Sequence, residues 1–269
     1  MRDGNGPQAP WVLSCITEGI PDKTALTAQL LLAAKTNNIS DLSFDDWVVE
    51  EVPDKNWLEE CYRQFPPFSV GNFFVYGSHY DGSKPDDKLC LQIDAATAFG
   101  SGEHGTTKGC LLALQDLKED GVCPWNVLDM GCGSGILAIA AWKLWKTPVL
   151  AVDNDAECIR VTLRHADFNG IKTGAAALDT ACGDGFATQA VQSRKPFDLI
   201  IANILAGPLI EMAPALKAVL DVNGYAVLSG MLREQADDVL KVYEGCKTTL
   251  KRRYDIDEWS TLVLQDAAA

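Results

Sequence analysis

The sequence has few histidines, no excess of positive charge and no long apolar run. Its three histidines, at positions 79, 104 and 165, and its nine cysteines show no zinc-ligand spacing, and no CxxC pair occurs. Lys and Arg number 23 against 37 Asp and Glu, and this net charge of −14 disfavours nucleic acid as the main partner. The longest mostly apolar stretch, residues 135–144, is too short to span a bilayer.

The remaining bulk properties are those of an ordinary globular protein. The sequence is 47% hydrophobic and 22% charged, and its 269 residues suffice for one large domain or a medium domain with a small appendage. Its first residues show no signal-peptide pattern, which favours a cytoplasmic location without membrane attachment. The odd number of cysteines favours reduced, mostly buried thiols over a disulfide framework.

From about residue 106 onward, helix and strand patterns alternate, which predicts a doubly wound, mostly parallel α/β sheet. The predicted strands are NVLDM, PVLAVD, a weaker one in AAALDTACGDG, FDLIIAN and GYAVLSG, followed by an antiparallel pair, TTLKRRYDID and WSTLVLQ. Upstream, a strand at 11–18, a helix at 22–36 and a strand at 44–52 are predicted to form one β-α-β unit. A short helix is predicted over 56–65, and two strands over 73–78 and 89–93.

The strongest motif is VLDMGCGSG at residues 127–135, where a predicted buried strand leads into three alternate glycines and then a helix. Glycine permits a tight turn and the close approach of a ligand, which the N-terminus of the next helix would face. Because residue 136 is isoleucine, the dinucleotide fingerprint G-x-G-x-x-G is not met. Asp153 ends the next strand, where such folds bind ribose hydroxyls. The alternative is a loop acid next to Asp155, which would cap the following helix.

Two further polar residues end predicted strands. Asp184, in CGDGF, is suited to accept a hydrogen bond from an adenine amino group, or is a turn residue, since Asp-Gly is a common turn. Asn203, in FDLIIANILAGPL, stops an apolar strand at the edge where open α/β sheets bind ligands. Its side-chain amide is suited to bind a ligand at that edge, and the alternative is a helix N-cap, which asparagine favours.

The glycine loop and Asp153 resemble those of class I S-adenosylmethionine (SAM) methyltransferases. ATAFGSGEHGTTKGCLLAL at 96–114 and NILAGPL at 203–209, taken with GCGSGILAIAA, resemble the ribosomal protein L11 methyltransferase family. PDKNWLEECYRQFPPF at 53–68 is similar to that family's connecting segment, so the resemblance covers roughly residues 45–269. It implies a Rossmann-like, class I methyltransferase sheet with an antiparallel last strand.

The resemblance implies an enzyme that transfers methyl groups from SAM to lysine side chains and the N-terminal amine of ribosomal protein L11. It implies that a set of matched positions surrounds the cofactor, with Asn203 also facing the amine as the catalytic residue. Those cofactor positions are Phe99 and Gly100 in a lid, Thr107, Gly131, Gly133, Asp153, Asp184 and Asn203. No metal and no membrane contact are expected, and the protein is expected to be a monomer.

The resemblance also divides the chain into a substrate-recruiting unit (1–52), a connecting segment (53–88) and a catalytic domain (89–269). The family opens with a complete small α/β domain, whereas one β-α-β unit is found here. This difference implies either an incomplete start of the sequence or altered recruitment of L11. Glu103-His104-Gly105 also stands where the family often has Thr-His-Pro, which predicts a looser loop.

Two other functions stay open. One is a class I methyltransferase that acts on another protein or on a small molecule. The other is a SAM-binding protein with reduced activity. Of the residues outside these motifs, His165 is predicted to lie on the solvated face of its helix, next to Arg164 and Asp167. Trp142 and Trp145 follow helical spacing and are predicted to belong to the core.

Overall fold

The computed structural model describes residues 17, 19–37, 47–51, 66–94 and 105–267. The chain divides into two compact units, residues 1–55 and 56–269. In the first unit, helix α1 (Lys23–Thr36) confirms the helix predicted over 22–36, and its N-cap Asp22 accepts hydrogen bonds from the first-turn N–H groups. Residues 47–51 form no strand, so the strand predicted over 44–52 is wrong there. Val48 is 77% exposed, and the apolar pair Val48–Val49 therefore lacks the burial that favours a strand.

The second unit begins with a small three-stranded sheet. Its strands are β1 (Phe68–Val70), β2 (Phe73–Tyr76) and β3 (Leu89–Gln92), in that order. β1 and β2 pair antiparallel, whereas β2 and β3 pair parallel. All four residues of β2 are buried, which explains its continuous apolar sequence FFVY. The strands predicted in 73–78 and 89–93 are confirmed, whereas the strand at 11–18 and the helix at 56–65 lie outside the described residues.

The larger part of this unit alternates helices and strands. Its elements are α2 (Gly105–Glu119), β4 (Val127–Met130), α3 (Ile136–Trp145), β5 (Val149–Asp153), α4 (Ala156–Phe168), β6 (Leu178–Cys182), α5 (Gln189–Arg194), β7 (Phe197–Asn203), α6 (Ala206–Val219), β8 (Leu220–Leu232), α7 (Ala236–Gly245), β9 (Thr248–Ile256) and β10 (Trp259–Asp266). The seven strands form one sheet in the order β6-β5-β4-β7-β8-β10-β9. The first five run parallel, and β10 is antiparallel to both of its neighbours, which confirms the predicted sheet.

Helices cover both faces of this sheet. One hydrophobic cluster joins α2, α3 and α4 to the sheet, and a second joins α5, α6 and α7 to the opposite face. The central strands β4 and β7 are therefore buried on both sides, which accounts for sequences such as DLIIA. β4 has β5 on one side and β7 on the other, so the chain reverses direction across the sheet at β4. Ligands of open α/β sheets bind at the carboxyl ends of the strands beside such a point.

In the described part of the chain, no helix is long and apolar enough to cross a membrane. The same residues contain no group of three or more His, Cys, Asp or Glu side chains that could hold a metal ion.

Candidate active site at the carboxyl edge of the sheet

A cavity of about 910 Å³ opens at the carboxyl ends of β4, β5, β6 and β7. Sequence-predicted site residues meet around it, although they come from separate parts of the chain. The ones that line it are Thr107, Gly131, Gly133, Asp153, Asp184 and Asn203. Phe99 and Gly100, together with the Glu103–His104 pair, lie outside the described residues. A volume of this size is within the range of cofactor and small-molecule sites.

The glycine loop between β4 and α3 has a backbone that side chains rarely adopt. Gly131, Gly133 and Gly135 have φ angles of 72°, 52° and 78°, in the left-handed region. A Cβ atom on Gly131 would stand 2.5 Å from Cγ2 of Ile204. The loop is held by the N–H groups of Gly131 and Cys132, which both donate to the carbonyl of Val152. The resulting cradle faces the cavity and leads directly into the N-terminus of α3.

Asp153, which ends β5, and Asp155, two residues later, make different hydrogen bonds. Asp155 is the N-cap of α4 and accepts a hydrogen bond from the N–H of Glu157 at 2.8 Å, so the predicted cap is confirmed. Asp153 lines the cavity, and its Oδ2 accepts from the N–H of Gly133 at 2.9 Å. Its Oδ1 accepts from the N–H of Asp155 at 3.0 Å. These two bonds fix the carboxylate at the end of β5, and each oxygen keeps a second lone pair for a ligand.

Asp129 lies buried directly beneath the glycine loop. Its Oδ2 accepts a hydrogen bond from the N–H of Ala138 in α3 at 2.9 Å, whereas its Oδ1 has no partner among the described residues. Burial raises the pKa of this carboxyl to about 7, the hydrogen bond from Ala138 opposes the rise, and the nearby Asp153 adds to it. Asp129 therefore joins β4 to α3 next to the glycine loop, with a pKa well above the ordinary value of an aspartate.

Asn203 ends β7 with its side chain at the cavity. Its Nδ2 donates a long hydrogen bond of 3.5 Å to Oγ1 of Thr107 in the first turn of α2. Its Oδ1 is buried and has no hydrogen-bond partner among the described residues. The helix-cap alternative is wrong, because α6 starts at Ala206 and its N-cap residue is Leu205. The amide oxygen is thus left available for a ligand, since unsatisfied buried acceptors are rare and call for an explanation.

His165 does not lie on a solvated helix face, and that prediction is wrong. The side chain is fully buried. Its Nδ1 lies 2.7 Å from the carbonyl of Ser134 in the glycine loop, and its Nε2 accepts from the N–H of Asp94 at 3.2 Å. Burial lowers the pKa of the imidazole, which favours the neutral form with the proton on Nδ1. The histidine therefore ties the glycine loop to the segment that follows β3.

The two tryptophans of α3 behave as expected. Trp142 and Trp145 are partly buried and pack against the cluster on the face of the sheet that α2, α3 and α4 cover. The indole N–H of Trp145 donates to the carbonyl of Val122 at 2.7 Å. Their prediction as core residues is confirmed.

Comparison with known proteins identifies the family. A family model described as ribosomal protein L11 methyltransferase (PrmA) matches residues 12–267. The chain belongs to this family. A ribosomal protein L11 methyltransferase of Rhizobium meliloti (strain 1021) is 42% identical over 215 residues, which is 80% of this chain and 72% of the relative. One from Agrobacterium fabrum is 42% identical over 226 residues, which covers 83% of this chain and 76% of the relative.

Solved structures agree with this assignment. The crystal structure of ribosomal protein L11 methylase from Lactobacillus delbrueckii subsp. bulgaricus superposes with a TM-score of 0.66 at 26% identity. The match covers 76% of this chain and all of that one. A methyltransferase from Pyrococcus furiosus, at 14% identity and a TM-score of 0.50, shares the fold. The predicted family, the α/β class I methyltransferase fold and the methyltransferase identity are thereby confirmed.

Proposed function

We propose that the protein transfers methyl groups from S-adenosyl-L-methionine to amino groups of ribosomal protein L11, its lysine side chains and N-terminal amine. The observation that carries this proposal is the buried, unpaired amide oxygen of Asn203 at the cavity. Membership of the L11 methyltransferase family supports the cofactor and the substrate. In amine methylation, an acceptor at this position can hold an N–H of the amine. A protein that only binds SAM would have no need of it.

The residues of the cavity fit the cofactor. The glycine loop has φ angles that residues with a side chain rarely adopt, and a backbone of this kind permits the close approach of a ligand. Gly131 and Gly133 would lie against the methionine part of SAM, Asp153 would accept from the ribose hydroxyls, and Asp184 would accept from the adenine amino group. Thr107 would contact the cofactor from the first turn of α2. When bound, SAM supplies an activated methyl group on a sulfonium.

The protein must then present a neutral amine to that methyl group. A lysine amine has an unperturbed pKa near 10.4, so it is protonated at neutral pH and has no free lone pair. Apolar side chains at the cavity, from Ile204, Pro208 and Met212, remove water from the amine and so lower its pKa. The amide oxygen of Asn203 accepts one N–H of the amine and orients its lone pair, while the proton that is released passes to water.

We assign the parts of the chain by the same proposal. Residues 1–52 recruit L11, residues 53–88 connect, and residues 89–269 carry out the transfer. The enzyme works in the cytoplasm as a monomer and binds neither nucleic acid nor membranes, in keeping with its net charge of −14.

The direct test is incubation of the purified protein with SAM and purified L11, read by intact mass. We expect L11 to gain mass in steps of one methyl group. Asn203→Ala should bind SAM within about threefold of the wild type but lose transfer roughly 100-fold or more, the effect of removing one preorganised polar group. Asn154→Ala, which removes another amide at the same cavity, is the matched control and should keep its activity.

Two results would contradict the proposal. If L11 gains no mass while another protein or a small molecule does, the enzyme methylates a different acceptor. If SAM binds but no acceptor is methylated, the protein is a SAM-binding protein with reduced activity.

A further inference from the structure

A pair of buried hydroxyl groups lies on β8 and β10, the two strands that follow β7 in the order of the sheet. Ser229 of β8 is completely buried and Thr261 of β10 is 1% exposed, and their hydroxyl oxygens are 2.7 Å apart. The hydroxyl of Ser229 also lies 3.3 Å from the carbonyl oxygens of Thr106 and Ser260. We call Ser229 and Thr261 the hydroxyl pair. It joins two strands of the sheet to the first turn of α2.

The hydroxyl pair reaches Asn203 by two short routes. Through the sheet, Asn203 is the register partner of Ser229, and the N–H of Ile204 donates to the carbonyl of Ser229 at 3.1 Å. Through the helix, Thr106 is followed by Thr107, whose hydroxyl accepts the hydrogen bond from Nδ2 of Asn203. Both the backbone and the side chain of Asn203 therefore depend on groups that contact Ser229.

Close packing leaves little freedom at this junction. A Cβ atom on Gly109 of α2 would stand 2.2 Å from Oγ1 of Thr261, so the helix lies directly on that hydroxyl. A Cβ atom on Gly230 would stand 2.2 Å from the carbonyl oxygen of Ile204, and Gly230 has a φ of 91°. The first turns of α2 and the end of β7 thus pack so closely against β8 and β10 that a shift of one element would displace its neighbour.

Hydroxyl groups are a costly choice in the middle of a buried sheet. Burying a hydroxyl costs desolvation that only hydrogen bonds can offset, whereas alanine or valine fits a strand without that cost. Directional bonds give in return a fixed orientation that apolar contacts do not provide. Neither Ser229 nor Thr261 is among the described residues that line the cavity, so we expect neither hydroxyl to contact the cofactor or the substrate.

We propose that the hydroxyl pair positions Asn203 for methyl transfer. Ser229 and Thr261 fix the first turn of α2, and Thr107 then holds the amide of Asn203 so that its oxygen meets the incoming amine. They are positioning residues, because they act through Thr107 and Asn203. This inference rests on the proposed role of Asn203 in L11 methylation.

Thr261 offers a matched pair of variants. Thr261→Val keeps the shape of the side chain and loses the hydroxyl, whereas Thr261→Ser keeps the hydroxyl and loses a methyl group. With L11 and SAM, we expect Thr261→Val to lower kcat about tenfold while KM and Kd for SAM stay within about twofold. Thr261→Ser should keep kcat within about twofold, even where packing loss lowers its Tm. If Thr261→Val keeps wild-type kcat, or Thr261→Ser loses more, the proposal is overturned.

Ser229→Ala provides the second measurement, because it removes the other hydroxyl with a very small change in volume. It should lower kcat to a similar extent, and the double variant with Thr261→Val should lose less than the product of the two losses. Multiplicative losses would overturn the coupling. Thr248→Val is the control, since its buried hydroxyl bonds the carbonyl of Tyr243 away from the cavity, and its kcat should be unchanged.

These experiments separate the inference from the function on which it rests. If the wild type does not methylate L11, the proposed function fails. If the wild type methylates L11 and Thr261→Val keeps full kcat, the positioning role alone fails.

Discussion

The two halves of the large sheet build their parts of the cavity from different chemical groups. On the side of β6, β5 and β4, the wall consists of a glycine-loop backbone and the carboxylates of Asp153 and Asp184. On the side of β7, it includes the amide of Asn203, which donates to the hydroxyl of Thr107, and the apolar side chains of Ile204 and Pro208. Backbone groups and carboxylates suit a polar, hydroxyl-rich ligand, whereas the amide suits an amine. On this basis we propose a cofactor half (the glycine loop, Asp153 and Asp184) that binds SAM and an amine half (Asn203 and Thr107) that aligns the amine, so substitutions in each half should change a different constant.

Among substitutions in the cofactor half, Asp153→Asn is expected to weaken SAM binding most. In the proposed complex, the carboxylate of Asp153 accepts hydrogen bonds from the two ribose hydroxyls of SAM. Removing its charge should weaken SAM binding roughly 30-fold, because hydrogen bonds to charged groups contribute about 1.5–3 kcal/mol. Isothermal titration with SAM measures this directly. The control is Asp155→Asn two residues away, which should change the Kd for SAM less than about threefold. Equal losses in the two variants would show that Asp153 only shapes the loop.

His165 provides a pH test of the support beneath the glycine loop. Its folded pKa is lowered, so the neutral form stabilises the fold fully above the unfolded value near 6.5. That contribution is lost as pH falls from 6.5 through the folded pKa. Protonation would place an N–H on Nε2, which now accepts from the N–H of Asp94, and the two N–H groups would face each other. We therefore expect the Tm of the wild type to fall toward that of His165→Asn by a few degrees between pH 7 and pH 5. A constant difference between the two proteins would contradict the neutral imidazole.

Asp129→Asn should stabilise the protein without SAM at alkaline pH. The pKa of Asp129 is raised from 3.8 to about 7 on folding, so its ionisation penalises the folded state increasingly between these values. The gain of the variant should be absent at pH 4 and full at pH 8, where we expect a Tm higher by about 4 °C. Thermal denaturation at the two pH values checks this. A gain that is equal at both would point to packing rather than charge.

The smallest effect is expected from Gly207→Ala, next to the amine half. A Cβ atom there would meet no atom within 4 Å, and the residue is helical. Alanine should raise the free energy of unfolding by about 0.5–1 kcal/mol and leave kcat within about twofold. A clear loss of kcat with L11 would show that this glycine leaves room for the substrate.

Much of the site could be predicted because it sits at the ends of strands. The apolar runs before Asp153 and Asn203 predict buried parallel strands, and such strands end at one edge of the sheet. Their alternative roles could not be decided from sequence. The cap explanation for Asn203 was excluded only by the observed start of α6 at Ala206, with Leu205 as its N-cap residue.

The supporting residues could not be predicted, since their partners are distant in sequence. His165 lies in a helix beside Arg164 and Asp167, as a surface residue would, yet it bonds groups 31 and 71 positions away. Ser229 and Thr261 sit in ordinary apolar strand patterns, and their hydrogen bonds arise only when β10 inserts antiparallel beside β8. The local pattern favoured a strand over 44–52, but in the described part, 47–51, Val48 is exposed and lacks the burial that would stabilise a strand.

The most direct test measures SAM affinity and single-turnover transfer to L11 for Asp153→Asn and Asn203→Ala together. We expect Asp153→Asn to bind SAM roughly 30-fold more weakly and to transfer near the wild-type rate once saturated. Asn203→Ala should bind SAM within about threefold and transfer at least 100-fold more slowly. If both variants lost affinity and rate to the same degree, the division between a cofactor half and an amine half would be contradicted.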